Sequence, residues 1–150
     1  MLISSHVAIS CKDPLITEQF YTRYFDFKRA RVILLGASQI VFIKSGNTYL
    51  ELFQAKGNSN LPPFEADGPT YPGLRHIAFQ VSNVDKKLAE MGSDAHITLG
   101  PLDFNDFIPG WRSAWLTDPD GNIVEVSQGY VDQEHPPQLA SQPASKEIAG

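Results

Sequence analysis

The chain has 150 residues, of which 42 % are apolar and 19 % are charged, and its formal net charge is −5. This composition suits a globular domain rather than a disordered polymer, and the acidic balance argues against nucleic acid, whose phosphates require clustered Lys and Arg. The single cysteine, Cys11, excludes an internal disulfide and a cysteine-based zinc site, which favours a cytoplasmic protein. Neither a secretory signal nor an apolar run of about 20 residues is present, so we expect no membrane span.

The first 54 residues predict the order β-α-β-β-β. Residues 6–10 alternate as a strand does, and Asp13 and Pro14 then supply a helix N-cap and a first helical residue. Apolar residues recur at helical spacing from Ile16 to Phe27. Three further strands are predicted over residues 30–35, 39–44 and 48–54, with a turn at residues 45–47.

The second half repeats this order. The predicted elements are strands over residues 76–81, 96–99, 112–116 and 123–128, and a helix over residues 84–91 that begins at Asn83 or Asp85. The Asp-Pro-Asp-Gly sequence at residues 118–121 is a strong turn signal. We therefore expect one domain over residues 1–130, made of module one (1–54), a Pro- and Gly-rich linker (55–73) and module two (74–130), followed by a polar, proline-containing tail (131–150).

Two histidines and two glutamates recur at matching places in the two halves. His6 and His76 lie 70 residues apart at the first strand of each module, and Glu51 and Glu125 lie 74 residues apart on the last strand. A carboxylate on a half-buried strand is costly unless it is paired or coordinates a metal. The four residues are therefore predicted to bind one divalent ion, Zn²⁺, Ni²⁺, Co²⁺, Mn²⁺ or Fe²⁺, and a structural His–Glu hydrogen-bond network is the alternative.

The motifs around these residues resemble those of the vicinal oxygen chelate superfamily, which includes glyoxalase I, bleomycin-resistance proteins and extradiol dioxygenases. The motifs are His6 with Asp13-Pro14 and Phe20-Tyr21, Tyr49-Leu-Glu51-Leu, Arg75-His76-Ile-Ala-Phe, and Asp118-Pro-Asp-Gly-Asn-Ile-Val-Glu125. The resemblance implies an α+β fold in which two β-α-β-β-β modules pair into an eight-stranded, cup-shaped barrel. It also implies a metal ion in the cup that chelates two neighbouring oxygens of a small-molecule substrate.

Within the superfamily, the His-Glu-His-Glu set is similar to that of glyoxalase I. The resemblance implies a lyase or isomerase in which a carboxylate, Glu125 with Glu51 as its counterpart, moves a proton next to a carbonyl. One alternative is a non-haem Fe²⁺ or Mn²⁺ dioxygenase that uses His6, His76 and Glu125. The other is a non-catalytic protein that binds a small molecule, as resistance proteins do.

The chain departs from glyoxalase I where that family holds glutathione. The family carries an Arg four residues after its first ligand and an Asn four residues after its second, whereas this chain has Ser10 and Ala55. We therefore expect a small, oxygen-rich substrate that does not depend on glutathione. The ring-cleaving alternative also lacks its second-shell histidine, since no His lies between residues 96 and 135.

Residues 101–112 are rich in aromatic side chains and are expected to close over the cup. Phe107, Trp111 and Arg112 are the predicted substrate contacts, with Arg112 placed to bind a carboxylate or phosphate. The alternative is that the aromatic residues only pack the loop onto the barrel. The proline-stiffened linker favours an extended path that reaches a second copy, so we expect a homodimer in which each metal site combines His6 and Glu51 of one chain with His76 and Glu125 of the other.

Overall fold

The chain folds into two modules of the same element order, as the repeat predicts. The computed structural model describes residues 1–139; residues 140–150, which form the end of the predicted tail, lie outside them. The elements are β1 (Val7–Cys11), α1 (Pro14–Tyr24), β2 (Lys28–Leu35), β3 (Ser38–Ser45), β4 (Thr48–Gln54), β5 (Ile77–Gln80), α2 (Val84–Met91), a 3-10 turn (Gly92–Asp94), β6 (Ile97–Asp103), β7 (Arg112–Thr117) and β8 (Ile123–Gln128). The α+β class and the two β-α-β-β-β modules are confirmed.

Each module forms its own four-stranded mixed sheet, with the order β1-β4-β3-β2 in module one and β5-β8-β7-β6 in module two. The registers match, because Ala8 pairs with Glu51 in the first sheet and Ala78 pairs with Glu125 in the second. Within residues 1–139, no hydrogen-bonded ladder joins the two sheets. Closure of the eight strands into one cup stays a prediction.

Both helices begin at side-chain caps. The Asp13 carboxylate accepts a hydrogen bond from the Leu15 amide at 2.9 Å, and Pro14 occupies the first helical position of α1. In α2 the Asn83 side chain accepts one from the Lys86 amide at 2.8 Å. Asn83 is therefore the N-cap of α2, and Asp85 lies in its first turn.

Strand β6 is longer than predicted. It runs to Asp103 and passes through Pro101, which the sequence placed in the following loop. Proline fits here because β6 is the outer strand of its sheet, and its pairing with β7 shifts register on both sides of Leu99. Gly100 lies within this irregular stretch at φ +82°, where an added Cβ would meet the Leu102 amide and the Ser113 carbonyl at 3.0 Å.

The helices and the inner faces of both sheets share one hydrophobic core. Phe25 of module one packs against Phe79 of module two with ring centroids 4.8 Å apart. Tyr21 and Tyr24 are buried here, as expected for helix-to-sheet packing. Cys11 is also buried, and burial raises the pKa of its thiol to about 12, so the thiol is not a nucleophile at neutral pH.

The turn between β7 and β8 connects module two to module one. Tyr21 donates its hydroxyl hydrogen bond to Asp118 at 2.9 Å, and Asp120 accepts hydrogen bonds from the Lys12 amide at 2.6 Å and the Thr17 hydroxyl at 2.5 Å. Burial raises the pKa of Asp118, although hydrogen bonds from Asn122, Tyr21 and backbone amides oppose that shift. The two modules are thus joined by polar contacts as well as by the core.

The opposite faces of the two sheets point away from this core. In β4, Leu50 and Leu52 are buried, whereas Tyr49, Glu51 and Phe53 alternate with them on the other side. These outer faces carry the predicted metal ligands. Among the described residues, no helix is long and apolar enough to cross a membrane.

Candidate metal centre

Two His–Glu pairs form, one on the outer face of each sheet. His6 Nε2 lies 2.9 Å from Glu51 Oε2, and His76 Nε2 lies 2.7 Å from Glu125 Oε2. Each histidine directly precedes the outer strand of its module, and each glutamate lies on the parallel neighbour of that strand. The parallel pairing therefore brings each His beside its Glu, as the repeat predicts.

The second ring nitrogen of each histidine is also engaged. His76 Nδ1 lies 2.6 Å from the carbonyl oxygen of Asp67, and His6 Nδ1 lies 2.8 Å from the Ser5 hydroxyl. A carbonyl only accepts, so Nδ1 of His76 carries a proton and its Nε2 is the atom that faces the carboxylate. A second-shell bond of this kind is the usual support of a metal-binding imidazole.

The donor set fits a divalent metal ion. Nε2 and a carboxylate oxygen at this distance share either a proton, as in a His–Glu hydrogen bond, or a metal ion that lies against both. Two donors that each lie 2.0–2.2 Å from one ion, at about a right angle, are about 3 Å apart. The observed separations of 2.7 and 2.9 Å agree with that arrangement.

The chain brings the four predicted ligands together in pairs, not as a group of four. Within residues 1–139, no three or more His, Cys, Asp or Glu side chains are placed to hold one ion. Each pair places two predicted ligands on an outward-facing sheet surface. A four-ligand site therefore requires that the two surfaces meet.

A chain of hydroxyl groups supports Glu125. Ser113 Oγ donates to Glu125 Oε1 at 2.7 Å and lies 2.9 Å from Ser127 Oγ, which accepts a hydrogen bond from the Trp111 indole at 3.2 Å. Ser113, Ser127 and Glu125 are all buried. Alternation along β8 places Ser127 on the face of Glu125, and the register of β7 against β8 places Ser113 directly opposite Ser127, a position that no sequence motif marks.

Aromatic side chains line the same surface. Trp115 pairs directly with Glu125 across the strands, and its ring meets the His76 ring edge-on at 6.3 Å. Phe104 packs on Trp111 at 4.9 Å and on Trp115 at 6.2 Å, so the loop that carries them lies over this surface. The Trp115 indole nitrogen is buried and has no hydrogen-bond partner in the part of the chain that the structure describes.

Of the three predicted substrate contacts, only Trp111 is connected to a His–Glu pair, through its hydrogen bond to Ser127 and the Ser113 hydroxyl that binds Glu125. Arg112 alternates with Ser113 along β7 and therefore lies on the helix side of the sheet, opposite Glu125. There it forms ion pairs of 2.9 Å with Asp85 and Asp103, both of which raise the pKa of its guanidinium. Phe107 is 78 % exposed. Arg112 thus holds α2 and β6 against β7 instead of facing the candidate metal centre.

The surface around Glu51 is open. Phe42 meets the His6 ring edge-on at 5.6 Å, and a cavity of about 450 Å³ lies beside His6, Phe42 and Tyr49. A neighbouring cavity of about 660 Å³ is lined by Ser10, Ala55 and residues of the linker. The two positions that depart from glyoxalase I therefore face one cavity.

Comparison with known proteins finds one superfamily that covers most of the chain. The family model described as Glyoxalase/Bleomycin resistance protein/Dioxygenase superfamily matches residues 3–126. The uncharacterized protein YwkD of Bacillus subtilis (strain 168) is 30 % identical over 131 residues, which are 84 % of this chain and 98 % of YwkD.

Two solved structures show the same likeness. The trypanothione-dependent glyoxalase I of Leishmania major is 26 % identical with a TM-score of 0.60, and the match covers 83 % of this chain and 85 % of that one. The fosfomycin resistance protein FosX of Listeria monocytogenes, solved in complex with Mn(II) and sulfate, is 18 % identical with a TM-score of 0.60, covering 85 % and 93 % of the two chains. The FosX likeness is one of fold.

Proposed function

The chain belongs to the glyoxalase/bleomycin resistance protein/dioxygenase superfamily, and from that premise we propose that it is a divalent-metal-dependent enzyme of the glyoxalase type. The observation that supports this is the pair of His–Glu contacts at 2.9 and 2.7 Å, which occur at equivalent places in two repeated modules. An acidic, single-cysteine chain of this kind is proposed to act in the cytoplasm on a small molecule.

His6, Glu51, His76 and Glu125 would hold the metal, which polarises a substrate carbonyl when it is bound. Because one chain presents them as two separate pairs, a second copy is proposed to complete each site. His6 and Glu51 of one protomer then face His76 and Glu125 of its partner. The open surface around Phe42 and Tyr49 is the place where that partner would pack.

The chemistry proposed for the two carboxylates is proton transfer next to the carbonyl. A carboxylate removes a proton from the carbon beside the carbonyl, and the electron pair of the broken C–H bond moves towards the carbonyl oxygen. The carbon that loses the proton carries a hydroxyl group, which gives its own proton to the former carbonyl oxygen and becomes the new carbonyl. The proton held by the carboxylate returns to the former carbonyl carbon, so atoms and electrons balance. Trp111 and Phe104 lie over the surface where this occurs and would help to exclude water.

The substrate is proposed to be small and rich in oxygen, without glutathione. Ser10 has no guanidinium group and Ala55 has no side-chain amide. The cavity that they line therefore lacks the Arg and Asn side chains expected to bind a glutathione moiety. The trypanothione dependence of the Leishmania major enzyme belongs to that protein. The hemithioacetal of methylglyoxal and glutathione should therefore be a poor substrate, and kcat/KM near the enzymatic upper range of about 10⁷ M⁻¹s⁻¹ would contradict this.

Metal analysis tests the proposed function. Protein that has been stripped with a chelator and dialysed against Zn²⁺, Ni²⁺, Co²⁺ or Mn²⁺ should hold one ion per chain, measured by elemental analysis. His76→Ala should abolish tight binding, because it removes one of four ligands, whereas His96→Ala, outside the candidate metal centre, should not. Failure of the unaltered protein to retain any of these ions would overturn the proposal and leave a non-catalytic small-molecule binder.

A second candidate activity is a non-haem Fe²⁺ or Mn²⁺ dioxygenase that uses His6, His76 and Glu125. This activity needs only three ligands and leaves out Glu51. The observation that favours it is that Glu51, in the described residues, contacts His6 alone, whereas Glu125 also accepts a hydrogen bond from Ser113. Oxygen consumption by the Fe²⁺-loaded protein in the presence of a catechol would decide for this activity. Isomerisation without oxygen uptake would decide against it.

A further inference from the structure

A cavity that the proposed function does not use lies between α1 and module two. It has a volume of about 290 Å³ and is bordered by α1 on one side and, on the other, by the segment that enters β6 and by the β7–β8 turn. None of the four predicted metal ligands lines it. Its volume is close to the lower end of the range for small-molecule sites, which commonly occur where two parts of a fold meet.

One face of α1 forms a wall of this cavity. Four of the lining residues share that face, because they follow the helical spacing i, i+3, i+4 and i+7. They are Ile16, Gln19, Phe20 and Arg23. Phe20 and Tyr24 are buried, and their rings pack edge to face at 5.7 Å. The cavity therefore has an aromatic base, with exposed polar side chains of α1 at its rim.

Arg23 carries a positive charge at the rim of this cavity. Its guanidinium lies over the Tyr24 ring, 5.4 Å from the ring centroid, which holds it beside the aromatic base. Within residues 1–139, Arg23 forms no ion pair, whereas Arg29 and Arg112 each bind a carboxylate. A guanidinium that lacks a carboxylate partner and lies next to buried aromatic rings suits a ligand with a carboxylate on an aromatic ring.

Two carboxylates of module two limit the charge of such a ligand. Asp94 lines the cavity and accepts a hydrogen bond from the Tyr24 hydroxyl. Asp118 also lines it, and its oxygens already accept hydrogen bonds from Tyr21, Asn122 and backbone amides. Because these carboxylates add negative charge to the wall, they repel a dianion such as a phosphate more strongly than a monoanion. The cavity therefore favours a monocarboxylate.

We propose that this cavity is a second small-molecule site, which takes a small aromatic monocarboxylate with its ring against Phe20 and Tyr24 and its carboxylate on Arg23. Because the ligand contacts both modules, its binding stabilises the junction between them. The inference does not depend on metal binding and goes beyond the proposed function, since the cavity shares no residue with the candidate metal centre.

Titration with benzoate, followed by amide NMR, tests whether the cavity binds such a ligand. Metal-free protein is used, so that no metal ion competes for the carboxylate. The amide signals of Gln19, Arg23 and His96, which line the cavity, should shift and saturate. Benzamide has the same shape without the charge and should bind about tenfold more weakly. Millimolar benzoate that leaves these signals unchanged, or that shifts those of Phe42 and Tyr49 instead, would overturn the proposal.

Arg23→Gln tests the residue that binds the carboxylate. It should weaken benzoate binding about tenfold or more, because it removes a charge-assisted hydrogen bond. Arg23→Lys keeps the charge without the planar fork and should weaken binding less. The matched control is Lys86→Gln, which removes one positive charge from an exposed position on α2 and should leave the affinity unchanged. Equal affinities in Arg23→Gln and the unaltered protein would contradict the assignment of Arg23.

Phenylphosphonate tests the preference for a monoanion. At a pH where it is a dianion, it should bind the unaltered protein more weakly than benzoate does. Asp94→Asn removes one negative charge from the wall and keeps an oxygen that can accept the Tyr24 hydrogen bond. This variant should improve the binding of phenylphosphonate relative to benzoate by about two- to fivefold, the range of an exposed charge contact. An unchanged ratio of the two affinities would overturn the preference for a monocarboxylate.

Discussion

The buried indole nitrogens of two tryptophans have opposite hydrogen-bond states. Trp111 donates to Ser127, whereas the Trp115 nitrogen has no partner within the described residues. A buried N–H donor without a partner lowers the free energy of unfolding by about 1–3 kcal/mol. A Trp→Phe substitution that removes such a donor regains part of the stability that is lost because phenylalanine fills less space. We therefore expect Trp115→Phe to lower the free energy of unfolding less than Trp111→Phe does, although Trp115 is the more buried residue.

Urea denaturation of the metal-free variants measures this difference. Metal-free protein is used because His76 and Glu125 lie next to Trp115, and Trp111 is connected to Glu125 through Ser127 and Ser113. A larger loss in Trp115→Phe than in Trp111→Phe would contradict the prediction and would indicate that packing against Phe104 and His76 outweighs the unpartnered donor.

The two His–Glu pairs were predictable from the sequence, whereas the groups that contact them were not. The repeat alone pointed to these four residues, because a polar residue on an apolar strand is conspicuous when it occurs twice, and their role as metal ligands stays a prediction. Ser113 and Arg112 are adjacent in sequence, and their faces follow only from the pairing of β7 with β8. Without that register, the sequence predicts Arg112 as a substrate contact and gives no signal for Ser113.

The first helix depends on its N-cap. Asp13 accepts the Leu15 amide hydrogen bond at 2.9 Å, and α1 contributes Phe20, Tyr21 and Tyr24 to the shared core. Asp13→Ala should lower the free energy of unfolding by about 1 kcal/mol, the usual value of such a cap, and Asp13→Asn should retain most of it. Chemical denaturation checks both variants, and equal losses in the two would show that the negative charge and not the cap is responsible.

The β7–β8 turn should give a characteristic dependence of stability on pH. Burial raises the folded-state pKa of Asp118 above its ordinary value, which is about 3.9 in an unfolded chain. Between these two pKa values the folded protein binds more protons, so the contribution of Asp118 to the free energy of unfolding decreases as pH rises. Above the folded-state pKa, the cost of the buried charge is present in full.

Asp118→Asn isolates this contribution, because the variant side chain carries no charge. The free energy of unfolding of the unaltered protein minus that of Asp118→Asn should become less positive between pH 4 and pH 7. Denaturant titrations at several pH values provide the measurement, and other groups cancel in the difference. A difference that grows with pH would mean that the hydrogen bonds from Tyr21 and Asn122 outweigh burial.

The elements themselves were predictable to within a few residues, except where strand pairing compensates for an unfavourable residue. The N-caps Asp13 and Asn83 specify the starts of the two helices locally, and the Asp-Pro-Asp-Gly sequence specifies the β7–β8 turn, so these elements could be predicted from short segments. Strand β6 continues through Pro101 only because it has a neighbour on one side and a register shift at Leu99. The edge position and the register shift both depend on how β6 pairs with β7, so the sequence of β6 alone does not predict them.

The proposed dimer can be tested because the repeat divides the four predicted ligands between the two modules. If each site combines ligands from two protomers, His6→Ala and His76→Ala damage opposite halves of a site. A mixed dimer then contains one intact site and one doubly damaged site. We expect metal binding to return in part when the two variants are mixed under conditions that allow subunits to exchange, as measured by metal content per chain.

The control for this experiment is each variant alone, taken through the same exchange procedure. Exchange itself is followed with differently tagged subunits. Mixed dimers that form without any recovery of metal would place all four ligands within one chain and would require a movement of the two modules to bring the pairs together.

The linker between the modules is also part of the candidate metal centre. The carbonyl of Asp67 binds His76, and the carbonyl of Ala66 accepts a hydrogen bond from Thr98 at 2.6 Å. A backbone carbonyl is present whatever side chain stands at that position, so its contact with His76 tolerates a change of residue type at position 67. It does not tolerate a change of chain length between Asp67 and His76. In a library of variants, insertions and deletions there should therefore disable metal binding more often than substitutions do.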